Sequence, residues 1–197
     1  MAAIITEHFR QHNAEQFFES FSEAAPTTYY LFIGKSTPFT TTTTGGSDNS
    51  PPVPQDDVTT EHYKWVSMLA AKLISSSDVS YVIPRRNWAN NTTYDMYEHD
   101  ISSSNTTTSG ATNLYAGTYY FMTSDYRVYK VLDNNGGTAY SGSEPTSETS
   151  TPFELGGYRL QYMYKITTTD VTKYLTSDFI PVSTDTTVSG DAVDGSL

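Results

Sequence analysis

Histidines at positions 8, 12, 62 and 99, 22 acidic side chains and long runs of serine and threonine are the groups through which this chain could do chemistry. His8 and His12 have the spacing that sets two imidazoles on one helix face. HFRQH lacks, however, the glutamate after the first histidine that serves as base in a zinc hydrolase, so an exposed helix face is the plainer reading. Asp185, Asp191 and Asp194 are too unevenly spaced for a calcium loop of the EF-hand kind and read as a solvated acidic tail. Asp56 and Asp57 read as a helix-start signal, where carboxylates meet the N-terminal dipole, rather than as a paired acid and base. No serine lies in G-x-S-x-G, and Gly45 and Gly46 fit neither a phosphate loop nor a dinucleotide fingerprint. With no cysteine there is no disulfide, thiolate nucleophile or thiolate metal site. The residues therefore nominate no catalytic group, no metal ligand and no cofactor.

The most informative cluster is PRRNW, with Arg85, Arg86 and Trp88. Two adjacent guanidinium groups in an acidic chain must find carboxylates or stay wet, and arginine forks bind carboxylates or stack on rings. One reading is an ion pair within the chain; the other is an anchor at a protein interface, where Arg, Trp and Tyr are enriched. Tyr162 and Tyr164 carry the same ambiguity, because a sheet tyrosine buries its ring and keeps its hydroxyl at the edge. Together with the scarcity of charge, these five residues are the candidate interface.

Composition supports contact over catalysis. Charged residues make up 17% of the 197, Tyr alone supplies 16, and the net charge is −11. Tyr and Thr favour strands, while a surface that neutralises phosphates needs clustered Lys and Arg, so nucleic acid is not an expected partner. No run of about 20 apolar residues is present, so no membrane insertion is expected. MAAIITEHFRQHN has no basic leader, which predicts folding in the cytoplasm of the cell that makes it, with Asn90, Asn91 and Asn105 as polar loops rather than glycan sites.

The elements that must position these residues follow from periodicity. Phe9, Phe17, Phe18 and Phe21 predict one or two N-terminal helices with an aromatic face. YYLFIG, from Tyr29, predicts a central buried strand. Residues 36–57, rich in Thr, Gly and Pro, predict a long surface loop. Val66, Leu69, Ala70, Leu73 and Ile74 recur at helical spacing and predict an amphipathic helix near 59–75. SYVIP predicts a strand closed by proline, and residues 102–110 another loop. TYYFM and YRVYKVL predict a hairpin, DNNGG a turn, and YRLQYMYKI a strand with Tyr158, Leu160, Tyr162, Tyr164 and Ile166 on one face. TTDVTKYL predicts a short helix and DFIPV a last strand. The fold class is mainly β with a few helices, in antiparallel, sandwich-like sheets with long Thr/Ser/Gly/Pro loops. It is read as a single domain over 1–182 with a polar tail over 183–197.

Several motifs in one order add to this. FIGKSTPF, PPVPQDD, KLISSSDVSYVIPRRNW, VYKVLDNNGG, GGYRLQYMYKI and YLTSDFIPV together resemble the baseplate wedge proteins of T-even-like contractile-tailed bacteriophages, of the gene product eight type. The resemblance implies an antiparallel, β-rich structural subunit of a virion tail baseplate without enzymatic activity, which dimerises and joins other wedge proteins. It places Arg85, Arg86 and Trp88 in a family signature. A rival from another class is a tail adhesin or carbohydrate-binding β-module, since Tyr and Trp faces stack on sugars. A glycosidase would need two opposed carboxyl groups about 5–9.5 Å apart.

Overall fold

A computed structural model describes residues 7–34, 39, 46–47, 49–51, 66 and 68–182. The tail over 183–197, most of the 36–57 loop and residues 59–65 lie outside the described residues. The chain divides into two compact units, Met1–Val79 and Ser80–Leu197.

In the first unit helix α1 (Glu7–Glu19) precedes strand β1 (Tyr29–Gly34), which pairs antiparallel with β2 (Met68–Ile74). Phe17 and Phe21 of the helix segment meet the Tyr29 ring with centroids 5.1 and 4.7 Å away. The Ser20 hydroxyl shares a hydrogen bond with the Tyr29 hydroxyl. β2 ends where Asp78 accepts bonds from the Ser75 amide and hydroxyl and pairs with Lys72.

Two expectations are corrected here. The helix near 59–75 is not continued through Met68–Ile74, which is a strand. Val66, Leu69, Ala70, Leu73 and Ile74 satisfy helical spacing, but a short apolar run cannot be assigned by periodicity alone. Pairing with an aromatic and β-branched partner, from Tyr29↔Ile74 to Gly34↔Met68, decides for the strand. YYLFIG is a strand as expected, yet it is neither central nor buried: Leu31 and Ile33 are 63% and 64% exposed. Among the described residues its sheet has two strands, and the ring contacts from α1 reach its Tyr29 end.

The second unit is built on a four-stranded antiparallel sheet in the order β4 (Tyr120–Met122), β5 (Arg127–Asp133), β7 (Tyr158–Lys165), β6 (Phe153–Leu155). A second sheet pairs β3 (Val82–Pro84) with β8 (Phe179–Pro181), and α2 (Thr168–Tyr174) precedes β8. Alternation along β4 and β5 gives the larger sheet two apolar faces. Phe121, Tyr129, Val131, Tyr158 and Leu160 face one way, joined by Tyr94 and Tyr140 from loops. Tyr120, Met122 and Val128 face the other way, against Ile83 of β3, Ile180 of β8 and Val171 of α2. The sheets thus pack face to face, as expected of a mainly β, sandwich-like fold.

β7 departs from the expected single apolar face. Val128 is opposite Tyr164 and Tyr129 is opposite Tyr162, so Met163 is a bulge residue without a partner in the ladder. A bulge shifts the side-chain alternation by one. Tyr158, Leu160 and Tyr162 therefore serve one core cluster, and Tyr164 and Ile166 the other. One strand feeds both layers.

The β6–β7 hairpin closes through Gly156 and Gly157, with φ of 65° and 84°, the conformation of a type I′ turn. Gly156 is required twice over, because a Cβ there would stand 2.5 Å from the buried Tyr140 ring. Gly156→Ala should lower stability by about 2–3 kcal/mol through overpacking and left-handed strain. Gly136→Ala, at a similar φ but facing open space, should cost about 1 kcal/mol. Denaturant midpoints of the two variants check the difference.

Candidate functional site

The VIPRRNW segment crosses from one sheet to the other. After pairing with β8, the chain runs on beside β4: the Met122 amide donates to the Arg86 carbonyl (2.7 Å) and the Trp88 amide to the Met122 carbonyl (2.8 Å). Asn87 forms a parallel bridge with Met122. The segment thereby covers the outer edge of β4, which would otherwise offer unpaired amides to another strand.

Its side chains reach different parts of the fold. Arg85 donates from Nε to the Asn87 side-chain oxygen (2.9 Å) and from Nη1 to the Thr176 carbonyl (2.9 Å). Arg86 donates from Nη2 to the carbonyls of Tyr115 and Ala116, both at 3.4 Å. Neither arginine is among the ion pairs of the described residues, which involve Lys72, Arg127 and Arg159. Trp88 packs edge-on against Tyr140 with centroids 6.0 Å apart, and its Nε1 and the Arg86 Nε are buried without a hydrogen-bond acceptor. Tyr162 stacks edge-on against Tyr129, and the Tyr164 hydroxyl donates to the Pro181 carbonyl at 2.9 Å. The five candidate residues do not converge on one place. A shallow cleft of about 30 Å³ lies beside Tyr164, Lys165, Asp170 and Val182, far smaller than the roughly 300–1,000 Å³ of small-molecule sites. Among the described residues no group of three or more potential metal ligands is assembled.

Two features that sequence reasoning missed organise the polar chemistry of this unit. The first is a set of tyrosine latches. Buried rings send their hydroxyls to carbonyls in loops or at strand ends: Tyr120 to Pro84 (2.6 Å), Tyr129 to Ser147 (2.7 Å), Tyr140 to Ser143 (2.8 Å) and Tyr158 to Thr138 (2.7 Å). Burial pushes the hydroxyls of Tyr120, Tyr129, Tyr140 and Tyr164 up to about 12. The excess of tyrosine in a loop-rich chain was the available signal. Salt links assist at one loop, where the Ser124 amide and hydroxyl donate to the two carboxylate oxygens of Glu144, each at 2.6 Å, and Arg127 bridges Asp125 and Glu148.

The second is Asp95, fully buried. Its carboxylate accepts four bonds, from the amide and hydroxyl of Ser109 (both 2.7 Å) and of Thr118 (2.8 and 2.9 Å). Burial by itself raises its pKa, but these bonds favour the charged form and together hold the carboxyl below its ordinary range. The 102–110 loop is held at Ser109 by this acid.

The polar groups of this unit tie loops to sheets, an arrangement that defines a structural β-module. A sequence profile described as Bacteriophage T4, Gp8 matches residues 3–143, more than half of the chain. The chain belongs to that family of phage baseplate wedge proteins, structural components of the virion's tail baseplate. No curated protein sequence matches it.

Two pH dependences follow. A tyrosine whose folded pKa is raised contributes stability that is complete below pH 10 and lost as pH rises through the folded value of about 12. The tyrosinate absorbance of the latches, read as the difference between the parent chain and its Tyr129→Phe and Tyr140→Phe variants, should therefore appear together with loss of near-UV circular dichroism between those values. Ionisation of Tyr129 or Tyr140 at pH 10 in a chain that stays folded would contradict the latches. Asp95, with its lowered pKa, contributes stability above the ordinary carboxylate range that is lost as pH falls through its folded value. Asp95→Asn should cost about 2–3 kcal/mol at neutral pH and flatten the acid limb of the stability profile, read by urea melts.

Proposed function

We propose that this chain links neighbouring wedge proteins, and that the β1–β2 ribbon is its principal contact. The exposure of that ribbon carries the reading. Tyr30, Leu31, Ile33, Leu69 and Leu73 are each more than half exposed, and Lys72, paired with Asp78, is the ribbon's one charged residue. Apolar clusters of this kind mark protein contacts, and an isolated two-stranded ribbon is marginal in water. Register supports contacts on both sides, because Tyr30 and Leu73 are opposite each other on one face while Leu31 and Ile33 share the other.

Arg85, Arg86, Trp88, Tyr162 and Tyr164 form a secondary set in this proposal. The arginines have no carboxylate among the described residues, so an acidic group of a neighbour would complete them. The subunit acts without catalysis, is made in the host cytoplasm, pairs with a second copy, and enters the assembly over 1–182 with 183–197 as a polar tail. Its net charge of −11 speaks against nucleic acid as a partner. Many copies in a closed assembly let each contact be modest, since linked contacts reinforce one another.

A double variant, Leu31→Ser with Ile33→Ser, should keep the far-UV circular dichroism of the parent. It should weaken co-assembly with the other wedge proteins by about tenfold or more, as expected when exposed apolar anchors are removed. Unchanged incorporation into wedges would overturn the ribbon assignment.

A further inference from the structure

The DNNGG turn follows β5 directly. Its two asparagines have opposite surroundings. Asn134 is buried; its Nδ2 donates to the Tyr94 carbonyl (3.0 Å) and the Thr108 hydroxyl (3.1 Å), and its Oδ1 accepts from the Gly137 amide (3.1 Å). The amide that follows it, that of Asn135, is engaged with Asp133 Oδ1 at 2.7 Å. Both reacting groups at Asn134 are therefore held.

Asn135 is exposed and sits at a left-handed φ of 53°. The next residue, Gly136, is also exposed, and nothing lies within 4 Å of where its Cβ would be. The Gly136 amide donates no hydrogen bond among the described residues. An asparagine side chain thus adjoins a free, unhindered backbone nitrogen, and glycine is the one residue type with no side chain to obstruct the approach.

We propose that Asn135 is a site of spontaneous deamidation. The Gly136 nitrogen, losing its proton to hydroxide or buffer base, attacks the Asn135 Cγ. The C–N bond to Nδ2 breaks, Nδ2 takes up a proton and leaves as ammonia, and a five-membered succinimide closes. Water then opens either imide carbonyl, giving aspartate or isoaspartate at this position. The balance is one water consumed and one ammonia released, and no other reactant is needed. The product places a new negative charge beside Asp133. In its isoaspartyl form it also inserts a methylene into the backbone next to Asn134, whose side chain joins this turn to Tyr94 and Thr108. The inference does not depend on the baseplate reading.

The test is to age the purified full chain in mildly alkaline buffer and map its peptides by mass spectrometry. The peptide carrying Asn134 and Asn135 should gain the mass difference of amide to acid and split into two chromatographic forms. Fragmentation should place the change at Asn135 and leave Asn134 intact. Gly136→Ala should slow the gain by about tenfold or more, because a side chain obstructs the close approach that glycine permits, and Asn135→Gln should abolish it. The proposal is overturned if this peptide is stable in the folded chain while the urea-unfolded chain converts, or if Asn134 or Asn87 converts as fast as Asn135.

Discussion

A tyrosine ring can leave water only if its hydroxyl finds a partner, and that requirement shapes the second unit. Its core is largely tyrosine, with Tyr94, Tyr129, Tyr140 and Tyr158 buried around Phe121 and Leu160. The sheet uses its own amides and carbonyls for the ladder, so the hydroxyls turn to carbonyls of the loops at Thr138, Ser143 and Ser147. Each ring is both core and latch. This explains how a chain so rich in Thr, Ser and Gly holds its loops close: apolar burial and loop fixation come from the same side chains. Tyr94 shows the economy, its hydroxyl both receiving the Ala89 amide and donating to the Ala89 carbonyl.

The same unit manages its edges and its two faces with single residues. The Met163 bulge allows β7 to feed Tyr162 to one layer and Tyr164 to the other. The RRNW segment covers β4 with main-chain bonds, and β6 is a short edge of three residues. Open edges invite foreign strands, and these are closed or brief. The β1–β2 ribbon is the contrast, two strands of apolar residues with little cover. Under the proposed linking role that contrast has a meaning, since a subunit of an assembly must be finished on some surfaces and incomplete on others. The signature residues Arg85 and Arg86 belong partly to the finished side, because their bonds to Thr176, Tyr115 and Ala116 carbonyls hold separate stretches of this chain.

Sequence by itself determined the class and much of the layout. Apolar and aromatic runs marked β3, β4, β5 and β8, alternation marked β7, the phenylalanines of the N-terminal segment marked α1, TTDVTKYL marked α2, and ordered motifs marked the family. It also identified which chemistries lack their residues, since cysteine is absent and the histidines are scattered. These properties are local: they rest on propensity, period and residue type. Tertiary structure decided what periodicity could not. Met68–Ile74 fits a helix and a strand equally well, and only its antiparallel partner resolves the choice. YYLFIG reads as a buried strand because it is apolar, but burial depends on what lies over it, which no local pattern encodes. The three-residue β6 strand was not predicted, although the Gly-Gly pair before Tyr158 was its hairpin signal. Asp95 and its four donors are 14 and 23 residues apart, and Arg85 and Thr176 are 91 apart. Side-chain partners at such separations are fixed by the fold rather than by neighbours in the chain, so the residue types were legible and their roles were not.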